Sequence, residues 1–119
     1  MTRLMLIEDD QTMKSLLTTL LGLEGFELAN CDDKSLDSII NSISVELPGI
    51  ILMDVHIRNI DGVEILKLIK KEPDFSNIRI LMTSGMDLKE KCLKSGADGF
   101  LMKPYMPDEL ISWLREHTS

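Results

Sequence analysis

The sequence predicts a doubly wound α/β fold, a parallel sheet with helices on both faces. Three observations predict it. Short apolar runs alternate from end to end with segments of helical spacing, the runs are continuous, and charged or hydroxyl residues gather where the runs stop. A continuous apolar run suits a strand covered on both faces, as parallel strands are. The 119 residues, 44% of them hydrophobic, suffice for one core and leave no room for a second. A single domain over 1–119 is therefore expected.

The elements follow in order. Residues 4–7 form the first apolar run. Met13, Leu16, Leu17, Leu20 and Leu21 then recur at three and four residues, a helix ended by Gly22 to Gly25. Segment 26–31 is a weaker strand, with Phe26, Leu28 and Ala29 apolar, suited to a place nearer the sheet edge. Leu36, Ile39, Ile40 and Ile43 mark a second helix before Pro48-Gly49, and 50–53 is the third run. Val63, Leu66 and Ile69 give a helix that stops at Pro73, followed by the run 80–82. Leu88, Cys92 and Leu93 make a short fourth helix ending at Gly96, and 100–102 is the fifth run. The last helix, with Leu110, Ile111, Trp113 and Leu114, starts after Pro107, where Asp108 and Glu109 suit a first turn. Strand then helix, five times, gives right-handed crossovers.

Twenty acids against 13 bases leave a net charge of -7, which argues against nucleic acid as the main partner and for a cation or a basic protein face. Cys31 and Cys92 have neither CxxC spacing nor nearby histidines and read as packing residues, as do the eight methionines. The N-terminus has four apolar residues before its acids, too few for a signal peptide, and no run approaches membrane-spanning length. The expected location is the reducing cytoplasm, away from any membrane.

In an open sheet of this kind the ligand site lies beyond the carboxyl ends of the strands. There stand Glu8-Asp9-Asp10, Asp54, Thr83-Ser84 and Lys103-Pro104. If strands one and three are neighbours, about 4.8 Å apart, acids from both reach one ion. Magnesium suits them, because it takes one or two carboxylates, keeps waters and accepts phosphate oxygens, whereas calcium needs more oxygens. Acids, one lysine and one strand-end hydroxyl match phosphoryl transfer with a carboxylate nucleophile. Singly, each has an ordinary role: Glu8 and Asp9 as solvated acids, Asp54 as an Asx-turn residue, Phe100 as core, Lys103 as an exposed base. Their co-occurrence at four strand ends carries the chemistry. Asp10 reads as the cap of the first helix, and His117 is given no function.

The motifs "LMLIEDDQ", "IILMDVHIRNIDG", "ILMTSG" and "GADGFLMKPY" resemble the receiver domain of two-component response regulators, of the single-domain chemotaxis type, over essentially the whole chain. The resemblance implies a flavodoxin-like (βα)5 sheet of order 2-1-3-4-5. It makes Asp54 the phosphoacceptor and assigns magnesium to Asp9 directly, Glu8 through water, Asp54 and the backbone carbonyl of His56. Thr83 and Lys103 would contact phosphoryl oxygens, Thr83 and Phe100 would form the switch, and Pro104 would be a cis-proline. The implied donor is a sensor histidine kinase, a histidine phosphotransfer protein or a small molecule such as acetyl phosphate. The domain would catalyse only its own phosphorylation and dephosphorylation, without being a conventional enzyme. Its output would pass through the face of helix four, strand five and helix five to an effector protein, a dimer partner or an output domain outside this chain, with no direct contact to nucleic acid.

The sequence departs from the pattern at Ile57-Arg58, where the family commonly has Met-Pro. A looser loop after strand three, with a cation at its rim, is expected, while Asp61-Gly62 preserve the turn into helix three. Helix four is expected to be short or differently tilted. His56 and Gly85 stand where the family modulates water access to the acyl phosphate. A receiver-like domain that no longer cycles phosphate is the first alternative, disfavoured by the complete set Glu8, Asp9, Asp54, Thr83 and Lys103. A flavodoxin-like electron carrier would want a Ser/Thr/Gly-rich loop after strand one. An aspartyl phosphatase would want its nucleophile on strand one.

Overall fold

Side chains alternate across an extended strand, so each apolar run feeds two layers at once. In the computed structural model, which describes residues 2–118, Met5 and Ile7 face one layer while Leu4 and Leu6 face the other. Ile51 and Met53 oppose Ile50 and Leu52 in the same way, and Ile80 and Met82 oppose Leu81. These runs lie in β1 (Arg3–Ile7), β3 (Ile50–Asp54) and β6 (Arg79–Ser84). The remaining sheet strands are β2 (Glu27–Ala29) and β7 (Gly99–Met102). All pair in parallel, in the order β2-β1-β3-β6-β7. This is the flavodoxin-like order 2-1-3-4-5 that the sequence predicts.

Among the described residues five helices cover the sheet: α1 (Gln11–Leu23), α2 (Leu36–Glu46), α3 (Gly62–Lys71), α4 (Lys89–Lys94) and α5 (Pro107–His117). Ile39 and Ile43 of α2, Val63, Ile65, Leu66 and Ile69 of α3, and Cys92 of α4 fill one layer. Leu17 and Leu21 of α1 with Leu110 and Leu114 of α5 fill the other. Asp10 caps α1, its Oδ1 accepting the Met13 N–H at 3.1 Å, as expected. Ser35 and Ser38 form a reciprocal capping box at the start of α2. α4 has six residues and no side-chain cap, the short helix that the sequence predicts. None of the helices among the described residues is long and apolar enough to cross a membrane.

Three details differ from expectation. β2 covers only Glu27–Ala29 of the 26–31 stretch, because this edge strand has a single neighbour and the backbone then turns to the Ser42 hydroxyl through the Asp32 N–H. β3 and β6, by contrast, end at Asp54 and Thr83-Ser84 as the sequence predicts, so those polar residues are themselves in the ladder. After β3 comes an unforeseen hairpin, β4 (His56–Ile57) with β5 (Ile60–Asp61), and after α3 a 3-10 turn over Pro73–Phe75.

Asp61 caps α3 by accepting the Val63 N–H at 2.9 Å. The next residue, Gly62, lies against the end of β3: a Cβ there would stand 2.5 Å from the Asp54 carbonyl oxygen and 2.9 Å from the Val55 Cα. The atoms it would meet are all backbone of Asp54 and Val55, which leaves nothing flexible to yield. Gly62→Ala is expected to cost about 1–3 kcal/mol, the usual range for overpacking, read as a lower urea midpoint. An unchanged midpoint would show that the close approach is not a constraint.

Candidate functional site

Register brings the polar residues together. Ile7 pairs with Met53 and Asp54 with Thr83, so Glu8 leaves β1 beside Asp54. Ser84 pairs with Met102, and the Ser84 carbonyl accepts the Lys103 N–H at 2.8 Å, fixing the exit of β7 beside β6. The Lys103–Pro104 peptide is cis, as the sequence leads one to expect.

From that exit the Lys103 ammonium donates to Asp54 Oδ2 at 2.6 Å and to Glu8 Oε2 at 3.0 Å. Glu8 is buried at 6% exposure, so the ion pair lies in a setting where both its attraction and its desolvation are large. The other oxygens are also occupied: Glu8 Oε1 accepts the Asp10 N–H at 3.1 Å, and Asp54 Oδ1 accepts the His56 N–H at 2.9 Å. The His56 side chain is exposed. Thr83 and Ser84 are buried, and Ser84 Oγ accepts the Met86 N–H at 3.1 Å. Phe100 is half-buried against the layer under α2, α3 and α4.

Burial raises the Glu8 carboxyl above its ordinary value near 4.5, an effect that the Asp10 N–H and Lys103 reduce without cancelling. For Lys103 burial acts downward, yet the hydrogen bonds to Asp54 and Glu8 and the charges of both hold the ammonium above its ordinary 10.5. Burial also pushes the Cys31 thiol up to about 11 and raises Cys92, in keeping with packing roles.

Asp9 is held separately. Its Oδ2 accepts the backbone N–H of Arg58, whose guanidinium donates to the Asp33 carbonyl at 3.2 Å and pairs with Asp33 Oδ1 at 3.1 Å. Ile57 is fully buried. The loop expected to be loose is instead a hairpin anchored by a core side chain and an ion pair, in which the exposed Arg58 at its rim pairs with Asp33. Sequence reading missed Asp33 because Asp32-Asp33-Lys34 looks like a solvated turn and its partner lies 25 residues away.

Among the described residues no three histidine, cysteine or acidic side chains are grouped closely enough to hold an ion by themselves. The carboxylates at the strand ends nevertheless offer only hard oxygen, and the Lys103 ammonium already sits between two of them as a counter-charge. That donor set fits magnesium, which completes its shell with water and phosphate oxygens.

The family model for the response regulator receiver domain matches residues 4–115. The chain belongs to that family. It is 27% identical over 116 residues to the phosphate regulon transcriptional regulatory protein PhoB of Klebsiella pneumoniae, a match covering 95% of this chain and 50% of that protein. The chain thus spans about half the length of the curated relatives it matches. A putative response regulator of Chloroflexus aurantiacus superposes with a TM-score of 0.86 at 28% identity, covering 97% of this chain and 95% of the other. The chemotaxis response regulator CheY4 of Vibrio cholerae shares the fold, with a TM-score of 0.86 at 20% identity over 99% of each chain. This receiver domain carries its polar cluster where β1, β3, β6 and β7 end side by side.

The raised Glu8 value has a sign. A carboxyl that holds its proton more tightly when folded favours folding most below its ordinary range, and that contribution is lost as pH rises through the raised value. In metal-free buffer Glu8→Gln, which cannot ionise, should therefore gain thermal stability relative to wild type as the pH rises from about 4 to about 7. A melting-temperature difference that stays constant over that interval would contradict the burial argument.

Proposed function

We propose that this receiver domain accepts a phosphoryl group on Asp54 from the phosphohistidine of a histidine kinase or phosphotransfer protein, or from a small donor such as acetyl phosphate. The observation that carries the proposal is the 2.6 Å contact from Lys103 to Asp54, made at the meeting point of β1, β3, β6 and β7. An Asp54 oxygen attacks phosphorus, and an acyl phosphate forms as the phosphorus–nitrogen bond of phosphohistidine breaks with its electrons going to the imidazole, or the phosphorus–oxygen bond of acetyl phosphate breaks to release acetate. Lys103 then moves its hydrogen bonding from the carboxylate to a phosphoryl oxygen, neutralising charge that spreads in the transition state. Thr83, buried and in register with Asp54, supplies a hydroxyl to a second oxygen.

Receiver domains generally use magnesium. In this chain Asp9, Asp54, the His56 carbonyl and, through water, Glu8 would hold it, and its charge would offset repulsion between an anionic donor and an anionic pocket. The domain performs its own phosphorylation and its own hydrolytic reversal rather than turning over a separate substrate. Water returns the Asp54 carboxylate and releases inorganic phosphate.

The bound phosphoryl carries between about 1.5 and 2 negative charges near pH 7, in place of the single charge of the free Asp54 carboxylate. Thr83 and Lys103 are drawn toward it, Phe100 follows Thr83, and the surface formed by α4, β7 and α5 shifts between two packings. Its reader is an effector, a second copy or an output domain. Such an output domain fits the transcriptional role in the name of the PhoB relative, which is about twice as long as the matched region.

Intact-mass measurement with acetyl phosphate and magnesium should show one added phosphoryl on wild type and none on Asp54→Asn. Equal labelling of the two would remove the assignment. Magnesium should also raise the melting temperature of wild type and raise it less in Asp9→Ala. Equal shifts would take Asp9 out of the metal site.

A further inference from the structure

Glu8 and Asp54 are fixed by Lys103, but Asp9 is not. Among the described residues its carboxylate has one protein hydrogen bond, from the Arg58 backbone N–H. That N–H belongs to the first residue of the two-residue turn between β4 and β5, in the left-handed region at φ 54. Gly, Asn or Asp is the favoured occupant of such a turn position, because a Cβ there crowds the following carbonyl oxygen, and only Gly avoids this while Asn and Asp offset it by local hydrogen bonds. Arg58 is held in it by its guanidinium, which grips both the carbonyl and the carboxylate of Asp33 in the loop before α2. Asp33 is itself buried, at 7% exposure, and its Oδ2 has no partner. A buried aspartate paired with an arginine that occupies an unfavourable turn position is a contact able to fix that turn.

We infer that Arg58 and Asp33 are positioning residues for the cation site: their pair fixes the turn so that the Arg58 N–H holds Asp9 ready to ligate magnesium. This rests on the proposed reading of Glu8, Asp9 and Asp54 as that site. The latch takes the place of the proline common to the family at position 58, with stiffness coming from a contact across 25 residues of sequence instead of from a ring. Partners one step removed from a metal ligand commonly control affinity by roughly 10–100-fold, because they set ligand orientation.

Charge alone makes a different prediction, which allows a clean test. Arg58→Gly removes a cation near the acids, relaxes the left-handed backbone and leaves the N–H in place. Asp33→Ala removes an anion. Through the field alone, the first change tightens magnesium binding, the second weakens it, and the double variant returns near wild type. Through positioning, calorimetric titration gives roughly tenfold or weaker binding for each single variant, and a double variant no weaker than the worse single. Asp33→Asn, which keeps an acceptor oxygen, should retain most of the affinity. A second readout needs no metal: exchange of the residue 58 amide with solvent should speed up in Asp33→Ala. Tighter binding by Arg58→Gly, or unchanged amide exchange in Asp33→Ala, overturns the inference. A wild type that fails to bind magnesium overturns the site assignment itself, while amide exchange still decides whether the latch holds the turn.

Discussion

One ammonium group organises the polar end of this molecule. Lys103 lies 95 positions from Glu8 and 49 from Asp54 in sequence, and it bonds to both. Two acids so close, with Glu8 at 6% exposure, would repel and desolvate one another at substantial cost without a cation between them. The lysine supplies that cation in the absence of any other, which moderates the instability expected from the acid cluster alone. Under the proposed reading, it also means that Asp54 is preassembled with the group that would neutralise its phosphoryl oxygens. Electrostatic preorganisation of this kind avoids reorganisation at the moment of reaction.

Strand register makes the arrangement possible. Parallel pairing places the carboxyl ends of β1, β3, β6 and β7 side by side, and the two-layer core fixes the register, since a slip by one residue would exchange the faces of every strand. The apolar residues of these strands thus determine which polar residues meet.

The same point explains what could be read in the sequence. Continuous apolar runs and helical spacing revealed the five strand–helix units, and strand ends located Glu8, Asp54, Thr83 and Lys103 before any coordinates. Asp10 as a cap and a short α4 were legible because capping chemistry and breaker residues are local. The hairpin after β3 was not, because two-residue strands carry too little periodicity and Arg58 gives no turn signal of the Asn or Gly kind. Asp33 was hidden for another reason: its importance lies in one distant partner and in burial, neither of which its neighbours encode.

β7 belongs to both layers of the core. Phe100 packs with the helices α2, α3 and α4, whereas Leu101 and, just beyond the strand, Tyr105 pack with α1 and α5. Lys103 stands between these contacts on a continuous piece of backbone, tied to β6 through Ser84. A displacement of Lys103 is therefore shared by a four-residue strand with neighbours above and below it. Under the proposed reading, a phosphoryl group at the strand ends would thus pull on the helices of both faces through one short strand.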